Sequence, residues 1–166
     1  MDSEITIRRT TLVDAPQIIQ MIQELADFEK MPLGPQMTAE QLIKDGNLDG
    51  SSKVPLFISY VAESQEHLIG FTISFFSYST WQGKSFFLED LYVKPNYRKM
   101  GVGKKLFVEN VKLANIENCA RFEFHVLNWN PAKKFYEKLG ATNLSASEGW
   151  EFYRLNTKNM EQILNK

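Results

Sequence analysis

Hydrophobic and polar positions follow two different periods along the chain, and the changes of period predict the order of its elements. Residues 4–10 alternate isoleucine with threonine and arginine, which is the two-residue period of a strand. Between Asp14 and about Glu29 apolar side chains recur at helical spacing, and aspartate commonly begins a helix. Thr38 with Gln41 has the form of a capping box and predicts a short second helix. The chain is therefore expected to open with a strand and two helices.

Three stretches rich in β-branched and aromatic residues come next, over 56–62, 68–78 and 85–93. Turn-forming residues separate them at 63–66 and 80–84. Because short breaks join strands that are neighbours in a sheet, we predict an antiparallel meander.

Helices and strands alternate in the second half of the chain. A helix should begin near Gly101, and residues 121–127 have the alternation of a strand. Since a helix joins 85–93 to 121–127, these two strands are predicted to form a right-handed parallel crossover. The order of elements indicates an α/β fold with a mixed sheet.

The C-terminal part is predicted to contain one more strand between two helices. Pro131 favours the first turn of a helix that ends at Gly140. Residues 150–155 should form the final strand, and Thr157 should cap a short C-terminal helix.

Length and composition indicate one ordinary globular domain, residues 1–166. Hydrophobic residues make up 43% of the chain and charged residues 23%, which excludes the disordered and collagen-like classes. Lys and Arg number 19 against 20 for Asp and Glu, so the basic excess typical of a nucleic-acid binder is absent. We therefore expect no nucleic-acid partner.

The few cysteine and histidine residues argue against a metal site. Cys119, His67 and His125 are too few for a zinc cage of the common Cys/His type. The longest apolar stretch, 68–76, is far below the ~20 residues of a membrane span. The N-terminus has no apolar segment of a signal peptide. We expect a cytoplasmic protein without metal or membrane contact.

A glycine-containing loop at 97–104 is the first candidate for chemistry, because it joins the end of a strand to the start of a helix. Helix N-termini carry free N–H groups and the positive end of the helix dipole, and they bind phosphates. The spacing is neither a Walker A motif nor a dinucleotide fingerprint, and a plain turn with solvated lysines is the alternative. The candidate phosphate-binding residues are Arg98, Lys99, Met100, Gly101, Val102, Gly103 and Lys104.

Several motifs in the same order resemble one known family. Arg98-x-x-Gly101-x-Gly103 after a strand ending at 91–93 is similar to the acyl-CoA pyrophosphate loop of the GNAT superfamily of N-acetyltransferases. Residues 135–141 resemble the later helix of that superfamily, which carries a tyrosine. Segments 24–29, 88–90 and 145–150 narrow the resemblance to the spermidine/spermine and thialysine acetyltransferases. It implies a mostly antiparallel sheet with a splayed parallel pair and flanking helices.

The resemblance implies transfer of acetyl from acetyl-CoA to a primary amine, by direct reaction in a ternary complex. Glu89 matches the candidate base of the family, although a solvent-facing carboxylate is the alternative. Tyr136 matches the tyrosine near the CoA sulfur and would be the general acid, although a tyrosine packing a helix onto the sheet is also common. Main-chain N–H groups of the strand end would stabilise the oxyanion; they belong to Leu91, Tyr92 and Val93.

The acceptor side of the site should be acidic if the substrate is cationic. The positions that match or neighbour those lining the family's amine site are Phe28, Glu29, Trp81, Glu89, Asp90 and Glu148. Each of these carboxylates could also be a plain surface charge. Successive side chains of a regular strand point to opposite faces, so Glu89 and Asp90 share one site only if their strand is irregular.

Two departures from the family pattern bear on substrate and cofactor. Ser79 stands where diamine-preferring members carry an aspartate, which favours a shorter amine that also bears a carboxylate, such as thialysine or a lysine analogue. Trp129 stands where an asparagine is usual, although Asn128 or Asn130 could still reach the pantetheine. The predicted CoA contacts in this loop are Asn130, Pro131 and Ala132.

Two further functions stay open at this point. A protein acetyltransferase would share the cofactor loop but would need an open peptide groove, and an acyl-CoA-binding module would need neither Glu89 nor Tyr136. His125 and Cys119 are expected to be structural. The family resemblance also implies a homodimer with interlocked C-terminal strands.

Overall fold

The computed structural model describes residues 4–51 and 54–165, which group into two compact units, Met1–His125 and Val126–Lys166. The first unit contains β1 (Thr6–Arg9), α1 (Ala15–Phe28), α2 (Ala39–Asp45), β2 (Ile58–Ser64), β3 (His67–Ser79), β4 (Gly83–Val93), α3 (Val102–Ile116) and β5 (Phe122–Phe124). The second contains α4 (Lys133–Lys138), α5 (Leu144–Glu148) and α6 (Thr157–Leu164).

The first unit is built on a five-stranded sheet with the strand order β1-β2-β3-β4-β5. The first three pairings are antiparallel, and β4 pairs with β5 in parallel. The predicted meander and the predicted parallel pair are therefore confirmed, as is the α/β class with a mixed sheet. No helix in the described ranges is long and apolar enough to cross a bilayer.

Helices cover both faces of the sheet and separate its core into two clusters. Helices α1 and α2 pack on one face, where Ile18, Met21 and Phe71 are fully buried. Helix α3 packs on the other face through Val102 and Leu106. The sheet thus has an α1 face and an α3 face, and the site is described below in these terms.

The start of α1 differs in detail from the prediction. Asp14 makes no side-chain capping bond to α1; its carboxylate instead accepts hydrogen bonds from the Thr11 N–H at 2.7 Å and from the Arg8 guanidinium at 2.7 and 2.9 Å. Burial opposes ionisation, but these bonds prevail and lower the pKa of Asp14. Asp14 therefore ties the helix start to β1.

The C-terminal predictions are partly wrong. Residues 150–155 form no strand, because a strand needs a partner ladder, which this segment lacks within the described part of the chain. Helix α5 was not predicted. Helix α6 begins at Thr157 as expected, but its cap is Asn156, whose side chain accepts from the Asn159 N–H at 2.9 Å.

Candidate active site

A β-bulge interrupts β4 at Glu89. Leu88 pairs with Ser74 and Asp90 pairs with Ile73, so Glu89 has no partner on β3. A bulge inserts one residue into one strand and shifts the alternation of everything that follows. The irregularity on which the sequence argument depended is therefore present at the candidate base itself.

The bulge first changes the direction of the main-chain groups. Before it, the Phe86 N–H donates to the Arg121 carbonyl at 3.0 Å, on the β5 side. After it, the Lys94 N–H donates to the Ile69 carbonyl at 2.9 Å, on the β3 side. Because directions alternate along an antiparallel ladder, the N–H groups of Leu91 and Val93 point away from β3.

Beyond Leu88, β4 no longer pairs with β5 along the edge that these two N–H groups face. The last pair between β4 and β5 is Leu88 with Phe124. The Val93 carbonyl on this edge accepts a hydrogen bond from Arg98 Nε at 2.8 Å, which agrees with the ladder argument. Tyr92 differs from the prediction, because its pairing with Phe71 directs its N–H towards β3. Two of the three predicted main-chain donors are thus directed to the open edge.

The bulge also brings two carboxylates to one face of the sheet. Asp90 lies opposite Ile73 on the α1 face, and Glu89 follows Phe87 on that face by the alternation that holds before the bulge. Glu89 and Asp90 therefore share the α1 face, where a regular strand would have separated them. The bulge supplies the irregularity that the sequence argument required.

Glu29, at the end of α1, completes a group of three carboxylates. Burial raises the pKa of Asp90 to about 7, and the charges of Glu89 and Glu29 add to the rise. Burial likewise raises the pKa of Glu29. Glu89 is exposed, whereas Asp90 and Glu29 are half-buried. Such a group attracts a cation and can hold a proton near neutral pH.

Arg98, in the candidate phosphate loop, packs against Tyr92 of β4 and Phe28 at the end of α1. The guanidinium carbon of Arg98 lies 5.2 Å from the ring centre of Phe28 and 5.7 Å from that of Tyr92. The Tyr92 hydroxyl donates to Glu24 Oε2 at 2.8 Å. Burial, and to a smaller extent this hydrogen bond, raises the pKa of Tyr92 to about 12. Neither Glu24 nor the Tyr92 side chain was given a role from the sequence. The Arg98 side chain holds the loop against the end of β4.

The loop that follows β4 has the geometry of an anion-binding turn. Gly101 adopts a left-handed φ of 80° immediately before α3, a conformation that favours glycine. A Cβ on Gly103 would lie 3.7 Å from the nearest atoms of Leu91 and Val93, an ordinary contact. The chain itself does not need glycine at 103, so a molecule that approaches the backbone closely would account for it.

An open surface cavity of about 550 Å³ begins at Gly101 and extends along α3. Its lining residues are Ile7, Gly101, Lys104, Lys105, Val108, Glu109 and Lys112. Three of the seven are lysines, so the cavity suits an anionic group. Lys104 of the predicted phosphate loop faces this cavity.

Trp81 lies away from the acidic group of Glu29, Glu89 and Asp90. It occupies the tip of the β3–β4 hairpin and is 83% exposed. Ser79 Oγ accepts from the N–H groups of Trp81 and Gln82, both at 3.2 Å, so Ser79 closes the hairpin turn. From Gly83 to Glu89 the extended strand covers roughly 20 Å. The structure does not bring Trp81 to the acidic group.

The second unit holds the remaining candidate residues. Tyr136 on α4 is buried, and burial raises the pKa of its hydroxyl to about 12. Asn130 Oδ1 accepts from the Ala132 N–H at 2.9 Å, which shapes the turn before α4. Glu148 Oε2 accepts from Trp150 Nε1 at 2.6 Å at the end of α5. The catalytic, cofactor and substrate roles of these residues stay predictions.

A family model described as the acetyltransferase (GNAT) family matches residues 19–141. The chain belongs to this family. The bulge, the open edge and the glycine loop all lie within the matched residues, so GNAT membership covers the site described above.

Curated relatives and solved structures agree with GNAT membership. The pig thialysine N-epsilon-acetyltransferase is 34% identical over 99% of each chain. The human spermidine/spermine N(1)-acetyltransferase-like protein 1 is 33% identical over 93% of this chain and 23% of that protein. A solved aminoglycoside N-acetyltransferase in complex with CoA is similar in fold, with a TM-score of 0.67, 20% identity, and coverage of 91% of this chain and 99% of that one. The chain is an N-acetyltransferase of GNAT type.

Proposed function

We propose that this enzyme transfers acetyl from acetyl-CoA to the primary amine of a small amino acid of the thialysine type. The observation that carries the proposal is the acidic group of Glu29, Glu89 and Asp90 beside the open edge of β4. It combines a binding place for a cationic amine with main-chain donors for a carbonyl oxygen.

The residues present fit acetyl-CoA. The left-handed turn at Gly101, the room above Gly103 and the lysine-lined cavity suit a pyrophosphate at the start of α3. When bound, the cofactor supplies an acetyl thioester. The N–H groups of Leu91 and Val93 are the donors that would hold its carbonyl oxygen, because no β5 residue pairs with them. No metal takes part in this proposal.

The acidic group supplies the base. An alkylammonium ion has a pKa of about 10.4 and must lose its proton before it can attack a carbonyl carbon. Glu89 accepts this proton, directly or through water, and Asp90 beside it can hold a proton near pH 7. Tyr136, whose raised pKa keeps it protonated at neutral pH, donates a proton to the departing thiolate.

The preference for an amino acid rests on two observations. Ser79, in the position of a family aspartate, closes its own hairpin turn and brings no charge to the acceptor. The pig relative carries thialysine in its name and matches over nearly the whole chain. Diamines and polyamines are the alternative acceptors.

We also propose that the protein is a homodimer. Trp150, Phe152 and Leu155 are large hydrophobic residues in the predicted strand that remain exposed in the single chain. A second copy would give this segment the ladder partner that it lacks. Light scattering after size exclusion tests this proposal, and a monomer at micromolar concentration would contradict it.

A CoA-release assay tests the substrate proposal. The acceptors are thialysine, its decarboxylated analogue, lysine, spermidine, putrescine and a lysine-containing peptide. We expect thialysine to give the highest kcat/KM and to exceed its decarboxylated analogue. Equal turnover of the two would mean that the carboxylate is not recognised, and peptide-only turnover would indicate a protein acetyltransferase. Tyr136→Phe should lower kcat. If the protein were an acyl-CoA-binding module, neither the wild type nor this variant would show turnover.

A further inference from the structure

Asn110, on the buried side of α3, holds two residues of β3 at once. Ser74 Oγ donates to Asn110 Oδ1 at 2.7 Å, and Asn110 Nδ2 donates to Thr72 Oγ1 at 3.0 Å. Nδ2 also donates to the Leu106 carbonyl one helical turn earlier, at 2.9 Å. Asn110, Thr72 and Ser74 are all 0% exposed. Both the oxygen and the nitrogen of the Asn110 amide are therefore hydrogen-bonded inside the core.

The two β3 residues lie on either side of the register shift. Thr72 and Ser74 flank Ile73, and the pairing with β4 changes between Ile73 and Ser74. Their side chains are on the α3 face, opposite the carboxylates. The amide of Asn110 thus holds β3 at the position of the bulge, on the face of the sheet opposite Glu89.

Helix α3 also holds β4. Val93 packs with Val102 and Leu106 in the cluster of the α3 face. Since α3 contacts β3 through Asn110 and β4 through these apolar residues, it is a common support for both strands. A one-residue slip between the strands would move Thr72 or Ser74 off the amide and leave buried polar atoms unpaired, which the apolar surroundings disfavour.

We propose that Asn110 is a positioning residue that keeps the β4 bulge at Glu89. By holding Thr72 and Ser74, it keeps Glu89 and Asp90 on the α1 face and the Leu91 and Val93 N–H groups on the open edge. The catalytic part of this inference rests on the proposed function, whereas the structural part concerns register alone.

Two variants separate positioning from simple stabilisation. Asn110→Leu removes the amide and leaves two buried hydroxyls unpaired. The triple variant Asn110→Leu, Thr72→Val, Ser74→Ala replaces the whole network with apolar groups, which commonly recovers stability. We expect both to lose tenfold or more in kcat, with the KM for acetyl-CoA changed less than threefold. Only Asn110→Leu should also have a markedly lower Tm.

The control is Leu42→Ala, which opens a cavity on the α1 face, the side of the sheet opposite Asn110. It should lower Tm with kcat changed less than twofold. If the triple variant recovers kcat together with Tm, the network is only structural and the proposal is wrong.

A second readout does not need activity. Burial, and after it the charge of Glu89, raises the pKa of Asp90, so carboxyl carbon NMR of the wild type should give Asp90 a pKa near 7. The triple variant should have a lower Asp90 pKa, because Glu89 leaves the α1 face. An unchanged pKa in a folded triple variant would overturn the proposal. If the wild type is inactive while the triple variant shows the expected lowering of the Asp90 pKa, the proposed function is contradicted and the register inference is supported.

Discussion

The two halves of β4 differ in almost every respect that matters for chemistry. From Phe86 to Leu88 the strand pairs with β3 on one side and with β5 on the other, and its aromatic side chains pack against those of both neighbours. From Asp90 to Val93 it pairs with β3 alone and has an acidic α1 face and an open row of main-chain groups. One unpaired residue, Glu89, separates the halves. The site lies where pairing with β5 ends, because N–H groups without a neighbouring strand are available to a ligand.

Insertion of one alanine between Ile73 and Ser74 should have the largest effect. It gives Glu89 a partner on β3, so the alternation of the first half continues and the N–H groups of Leu91 and Val93 turn to β3. We expect kcat/KM to fall by about 10³-fold or more, since main-chain donors of this kind contribute a factor of about 10²–10³ each. CoA-release kinetics on the purified, folded variant measure it. Glu89→Gln is the matched control, because it keeps the bulge; an insertion no worse than Glu89→Gln would contradict the role of register.

Asp90→Asn tests the charge of the second half. Because the wild-type carboxyl must be ionised to accept a proton, kcat/KM should decline as pH falls through about 7. The variant should lose about 10²-fold in kcat/KM, as is usual for loss of an acid–base group, and should lack this limb of the profile. A variant that kept the limb would assign it to another group.

The same substitution should stabilise the protein. The folded-state pKa of Asp90 is raised above its unfolded value of about 3.9, so the wild type loses stability as pH rises from about 4 to above 7. Asp90→Asn should therefore have the higher Tm at pH 8, with the gain shrinking towards pH 4. Thermal unfolding at both pH values checks the sign.

Gly103→Ala should have an intermediate effect, confined to the cofactor. The added Cβ meets no atom of the protein closer than 3.7 Å, and alanine favours a helix more than glycine does, so Tm should not fall. If the backbone is approached closely by a ligand there, the KM for acetyl-CoA should rise by about tenfold, or roughly 1.4 kcal/mol. An unchanged KM would show that the pyrophosphate does not bind close to Gly103.

Phe86→Leu tests the closed half and should affect activity least. Phe86 is fully buried between Phe76 and Phe122, so the change should cost about 1–2 kcal/mol of stability. We expect kcat, measured without denaturant, to change less than twofold, because the ring of Phe86 packs against Phe76 and Phe122, which lie outside the site. A large fall in kcat would show that the two halves are coupled.

The outcome at Glu89 and Asp90 illustrates how far the sequence leads. Their residue types, and the loop that follows them, were sufficient to nominate the site and the family. The rule of alternation alone would have placed the two carboxylates on opposite faces, and it fails because the bulge adds a residue whose presence depends on pairing with β3. Asn110 was not nominated at all, since a single asparagine in a helix gives no signal of its buried partners.

The C-terminal segment 150–155 is a place where the sequence predicted an element that the structure does not form. A strand was predicted there, and the single chain forms none. Aromatic and apolar residues favour a strand, whereas strand formation depends on hydrogen bonds to another segment.

By itself, the sequence determined the periods of the elements, the chain order of the first sheet, the glycine loop and the family. These follow from local spacing, because side-chain direction repeats with the backbone geometry of each element. Only the tertiary structure decided which N–H groups face the open edge, which carboxylates meet, and that burial brings the pKa of Asp90 near neutrality. Those properties depend on register and on the neighbours that exclude water, and both arise only when distant segments pack together.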